Sequence, residues 1–109
     1  MNGSLWTLDE AVYLVGVFFR SEFKAGDDSN PLCRELASAL KRSPSSIDRQ
    51  WRNIQDVRMG LSHSNVGRVI TQATLEYVTN PRAGHKLATQ AAARNQWPLG
   101  VLGGDPENV

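Results

Sequence analysis

The stretch that most constrains the fold is Lys41 to Met59, KRSPSSIDRQWRNIQDVRM. Ser43 followed by Pro44 is a helix start. The hydroxyl can cap free N–H groups, and the proline sits where no N–H is needed. Behind it Ile47, Trp51, Ile54 and Val57 recur at steps of four, three and three, which draws one apolar stripe along an α-helix. Ser45, Ser46, Arg49, Gln50, Arg52 and Asn53 fall on the other faces. Those residue types suit phosphates and base edges. The helix is predicted over residues 44–59, with Gly60 as its C-terminal cap.

The rest of the chain reads as helical too. Thr7-Leu8-Asp9-Glu10 is a capping box, so a first helix is expected from there to about Lys24. Val12, Val15, Phe19 and Phe23 line one side of it. Leu8, Ala11, Leu14 and Phe18 widen that side into a surface that needs more than one packing neighbour. Trp6 is placed to fold back on the first turn. AGDDSN, residues 25–30, is a loop. Asn30-Pro31 opens a second helix with the stripe Leu32/Cys33, Leu36, Ala37 and Leu40, stopping near Lys41 and Arg42. The very short break before Pro44 forces a sharp angle, the helix-turn-helix arrangement, with Ser-Pro in place of the usual turn glycine.

After Gly60 a polar connection leads to a fourth helix, expected from about Val66 to Thr79. Val69, Ile70, Ala73, Tyr77 and Val78 face inward, and Asn80-Pro81 ends it. Residues 83–95 are a weaker, alanine-rich helix. The remainder reads as tail, except Trp97-Pro98-Leu99, an apolar cluster that docks either on its own domain or on another body. The expected fold class is all-α: a compact bundle of four to five helices containing a helix-turn-helix (Myb-like) unit. The expected division is a DNA-binding domain over 1–80 and a weak helix with tail over 81–109.

Composition narrows the function classes. The net charge of +1 is uninformative, but its distribution is not. Residues 1–33 hold two Arg/Lys against five Asp/Glu, residues 34–68 hold seven against three, and the remainder balances. The positive charge gathers on and beside the 44–59 helix, as a small DNA-binding module requires and as a solvated helix face also would. No apolar run approaches the ~20 residues of a membrane span, and no secretory signal is read at the N-terminus. The single cysteine excludes an internal disulfide and a cysteine zinc cluster, which suits the cytoplasm; Cys33 reads as a small core residue. His63 and His85 make no metal-pair spacing, and the glycines form no phosphate loop. No enzyme activity, cofactor or metal is expected.

The residues expected at DNA follow. Arg49, Arg52, Asn53 and Gln50 would meet base edges, since Arg pairs with guanine and Asn with adenine. Lys41, Arg42, Ser43, Ser45, Ser46 and Arg68 would hold phosphates. Asp48 lies four residues before Arg52 and lowers the field there. His63, Ser64, Asn65 and Arg68 form a second polar cluster, which reaches flanking backbone or caps the fourth helix.

Two resemblances bear on this. Trp6-Thr7 with Glu10, the Glu35-Leu36-Ala37 to Leu40 stretch, and Arg42-Ser43-Pro44-Ser45-Ser46-Ile47 through Trp51-Arg52-Asn53-Ile54 resemble a helical module of bacterial restriction and defence proteins. There it precedes an HNH-type nuclease or another effector. The resemblance covers roughly residues 4–80 and implies engagement of double-stranded DNA, modified DNA in some members. The HNH histidines are missing here, so it implies a DNA-reading part and not a nuclease. The same residues resemble a Myb/SANT repeat, with Trp6 and Trp51 at the first and last tryptophan positions and Leu32 nearest the middle one. The competing expectations are a SANT-like protein–protein interaction module and a small dimeric transcriptional regulator. Partners expected on the DNA reading are the duplex and a homodimer mate or effector domain.

Overall fold

Thr7 caps the first helix from both directions. Its hydroxyl accepts from the Glu10 N–H at 3.1 Å, and the Glu10 carboxylate accepts from the Thr7 N–H at 2.9 Å. In the computed structural model, which describes residues 5–21, 30–61 and 67–103, this helix (α1) spans Leu8–Arg20. It stops short of the expected Lys24. Ser21 turns to an extended conformation, and its hydroxyl donates to the Phe18 carbonyl at 3.4 Å. Phe23 and Lys24 lie outside the described residues.

Four more helices follow: α2 (Pro31–Leu40), α3 (Pro44–Arg58), α4 (Arg68–Thr79) and α5 (Pro81–Asn95). A short 3-10 turn, η1, covers Gly100–Leu102. Among the described residues there is no strand, and the fold is an all-α five-helix bundle. No helix of the described residues is long and apolar enough to cross a membrane.

The helix at the centre is α1, not α3. Every residue from Glu10 to Phe18 is buried, because apolar and small side chains surround it on all sides. It packs against α5, α4, α3 and η1. Leu8, expected in the apolar surface, is 46% exposed at the helix start. α2 packs on α3. Its cap is Asn30, whose side chain accepts from the Leu32 N–H at 2.8 Å, and Cys33 is buried with its thiol donating to the Pro44 carbonyl. The missing turn glycine is replaced by Lys41 itself, which adopts the left-handed conformation at φ 57°. The Arg42 N–H then reaches back to the Ala37 carbonyl at 2.9 Å.

α3 buries Ile47, Trp51 and Ile54 completely, as the stripe predicts, while Val57 is half-buried. Gly60 ends it at φ 77°, with the Leu61 N–H on the Asp56 carbonyl and the Gly60 N–H on the Val57 carbonyl. In α4 the inward face is Ile70, Ala73, Thr74 and Tyr77. Val78 is 49% exposed, contrary to expectation: it falls past the edge of that face, beside Leu75. Thr74 takes a core place by donating its hydroxyl to the Ile70 carbonyl at 2.7 Å. Tyr77 stacks on Phe19 at 4.7 Å.

Residues 81–102 are part of the same body as α1–α4. Asn80 closes α4 and caps α5, and Ala88, Ala91, Ala92 and Leu102 belong to the one hydrophobic core. Trp97 packs on Tyr13 at 5.0 Å, and the Tyr13 hydroxyl donates to the Pro98 carbonyl at 2.7 Å. The Trp97-Pro98 cluster therefore docks on its own domain. Tyr13→Phe deletes that one bond and keeps the ring. It is expected to lower stability by about 1 kcal/mol, read as a shift of the urea midpoint. An unchanged midpoint would mean that ring packing alone holds this turn.

Candidate nucleic-acid interface

The polar face of α3 begins at its cap. The Ser43 hydroxyl accepts from the Ser46 N–H at 3.2 Å and lies 3.2 Å from the Ser45 hydroxyl and 3.0 Å from that of Ser46. From this cluster an exposed line runs through Ser45, Arg49 and Arg52, one turn apart, while the opposite face is fixed in the core. Lys41 is exposed just before the cap, and Arg68 is exposed at the start of α4. Arg52 keeps 61% of its side chain exposed and pairs with Asp48 at 3.0 Å. Such an open pair contributes at most about 1 kcal/mol, so an arriving phosphate can compete for the guanidinium.

Two expected residues are not on this face. Arg42 is turned inward. Its Nε and Nη2 donate to the two Glu10 carboxylate oxygens at 2.8 Å each, and Nη2 also donates to the Leu5 carbonyl at 3.0 Å. The guanidinium lies 4.1 Å over the Trp6 ring, and only 15% of the side chain is exposed. Burial pushes the Glu10 carboxyl up, but the bonds from Arg42 and Thr7 outweigh it and hold the group below the usual glutamate range. Those same Glu10 bonds raise Arg42 above its ordinary value. Arg42 is a structural cation here, because a carboxylate buried on the central helix needs a permanent partner. Asn53 is the second correction. It is 8% exposed and donates to the Gln50 side-chain oxygen at 3.1 Å, so it cannot reach a base edge.

Gln50 is half-buried and looks into a groove of about 280 Å³ lined by Leu5, Trp6, Gln50, Gly67, Arg68, Val69 and Ile70. The groove links the predicted residues Gln50 and Arg68 across α3 and α4. The chain's local pattern gave no sign of it. Trp6 is half-buried against the core, with the Arg42 guanidinium over its ring, and it lines this groove. The N-cap of α4 is Gly67, with no side-chain cap bond; His63, Ser64 and Asn65 lie outside the described residues. Among the described residues no three His, Cys, Asp or Glu side chains gather in a way that could hold a metal ion.

Lys41, Ser43, Ser45, Arg49, Arg52 and Arg68 are thus exposed, Ser46 and Gln50 are half-buried with Gln50 and Arg68 sharing the groove, and Arg42 and Asn53 are withdrawn. Comparison with protein-family models, curated proteins and solved structures finds no match to this chain.

Proposed function

We propose that this chain is a DNA-binding module. In this reading α2 and α3 act as a helix-turn-helix of Myb-like type, and α3 enters the major groove. The observation that carries the reading is the exposed Ser45–Arg49–Arg52 line on a helix whose other face is completely buried. A reading helix must present polar side chains from a rigid support, and this one does. Arg49 and Arg52 meet base edges, with Gln50 beside them. Lys41, Ser43, Ser45, Ser46 and Arg68 hold phosphates. The setting implied by the resemblance of residues 4–80 is a bacterial restriction or defence system, with an effector supplied by another domain or chain.

The second reading is a protein-interaction module. It is favoured by Asp48, whose pairing with Arg52 weakens the positive field along α3. Salt dependence separates the two. Fluorescence anisotropy with labelled duplexes, unmodified and modified, at low and moderate salt is the test. With Lys41 and Arg68 neutralising two phosphates, log K should fall against log salt with a slope of about −2. Arg49→Ala/Arg52→Ala should lower affinity by about 10- to 100-fold. Absence of salt-dependent binding to every duplex even at low salt overturns the proposal and leaves the protein-binding reading.

A further inference from the structure

The groove between α3 and α4 joins an apolar lining to polar groups that are set to donate. Leu5, Trp6, Val69 and Ile70 supply the apolar part, and Gln50 and Arg68 supply the polar side chains. Asn53, more than nine-tenths buried, donates its amide to Gln50 Oε1 at 3.1 Å. The acceptor end of Gln50 is thereby held by α3 itself. Its two N–H groups have no partner among the described residues and remain to donate. Arg68 is exposed and makes no ion pair among the described residues. Gly67 to Ile70, which line the groove, are the N-cap and first turn of α4. That turn has neither a side-chain cap bond nor an acidic residue, so its first N–H groups also call for an acceptor.

Charge and size together identify the occupant. Among the described residues no carboxylate lines the groove. A guanidinium, a pair of amide donors and an uncapped helix start converge on it, and all three favour an anion. The apolar lining, with an indole in it, requires that the anion carry a flat apolar body. The groove measures about 280 Å³, and one liquid water occupies ~30 Å³, so there is room for about ten heavy atoms. One aromatic ring with a carboxylate fills that space, whereas a nucleotide, with its sugar and phosphate, exceeds it.

We propose that this groove binds a small aromatic carboxylate. The ring lies against Trp6 and Val69, one carboxylate oxygen meets Arg68 and the first N–H groups of α4, and the other accepts from Gln50. The site stands whether or not the chain binds DNA, and it is tested without DNA. The probe is benzoate, titrated into the full chain labelled with nitrogen-15. Its dissociation constant should be on the order of 1 mM, as suits a ligand of this size in an open groove. The Gln50 side-chain amide and the Arg68, Val69 and Ile70 backbone amides should shift together. Benzamide, which keeps the ring without the charge, and acetate, which keeps the charge without the ring, should each bind at least tenfold more weakly. Arg68→Ala and Gln50→Ala should each weaken benzoate several-fold, with Tm unchanged for Arg68→Ala because that side chain is exposed. No shift at these amides up to about 20 mM benzoate overturns the proposal. Equal shifts with acetate overturn it in favour of a simple anion at the start of α4. Tighter binding at the same amides by a deoxynucleoside monophosphate, or by a peptide ending in phenylalanine, overturns it in favour of that occupant.

Discussion

Gly84→Ala is expected to lower the stability of the protein by about 2 kcal/mol, although the same change in an exposed helix raises it by about 1 kcal/mol. Gly84 is buried near the start of α5, where that helix crosses closest to α4. A Cβ there would lie 2.6 Å from Tyr77 Cδ2 and 2.9 Å from both Tyr77 Cα and Cγ. Ordinary carbon contacts are about 3.5–4.0 Å. The tyrosine ring cannot swing away, because it is buried and stacked on Phe19 at 4.7 Å, and its Cα cannot move without α4. The helices must separate instead, which loosens the seam between them. For a domain of this size the change should appear as a fall in Tm of about 8–15 °C. Gly100→Ala is the control: its Cβ would meet nothing within 4 Å, so a shift within about 0.5 kcal/mol is expected. A Tm that rises on Gly84→Ala would mean that α4 and α5 do not approach this closely.

The same glycine shows why the C-terminal third was hard to read. Helix boundaries in α2 and α3 were legible because their signals are local: Asn30-Pro31 and Ser43-Pro44 at the starts, Gly60 at the end. The buried face of α5 is made of Gly84, Ala88, Ala91 and Ala92 around a single large side chain, His85. Small side chains give little amphipathic signal, yet they permit close approach and are fully part of the core. Their partner is Gly16 of α1, where a Cβ would lie 2.6 Å from that of Ala88. Two weak patterns far apart in sequence thus make one tight contact. In the candidate interface, the exposed line from Ser45 to Arg52 follows from helical periodicity alone. The burial of Asn53 does not. It sits between Trp51 and Ile54, and the width of a buried face depends on how many helices flank it; α1, α2 and α4 all flank α3. Arg42 was also opaque, since nothing local distinguishes a phosphate-binding arginine from one that neutralises a buried glutamate 32 residues earlier.

That arginine carries the other large effect. Arg42→Ala should destabilise the protein by about 3 kcal/mol at pH 7, because it leaves the Glu10 carboxylate buried without its cation. The side chain also loses its bond to the Leu5 carbonyl and its place over Trp6, so the N-terminal lead and the α2–α3 turn come apart together. The pH dependence gives the sign. In the wild type the Glu10 carboxyl is held below its ordinary value of about 4.5, so its contribution is present above that value. It is lost as pH falls through the depressed native value. In Arg42→Ala burial, the largest influence on this group, is opposed by the Thr7 bonds alone, and the native value should lie above the unfolded one. The variant then gains from protonation where the wild type loses, so the stability gap between them should narrow as pH is lowered from 7 to 4. Urea denaturation at both values measures it. Glu10→Gln in the Arg42→Ala background should recover part of the loss at pH 7, because it removes the stranded charge. A gap that stays constant with pH, with no recovery in the double variant, would mean that Arg42 acts through Trp6 and Leu5 and not through Glu10.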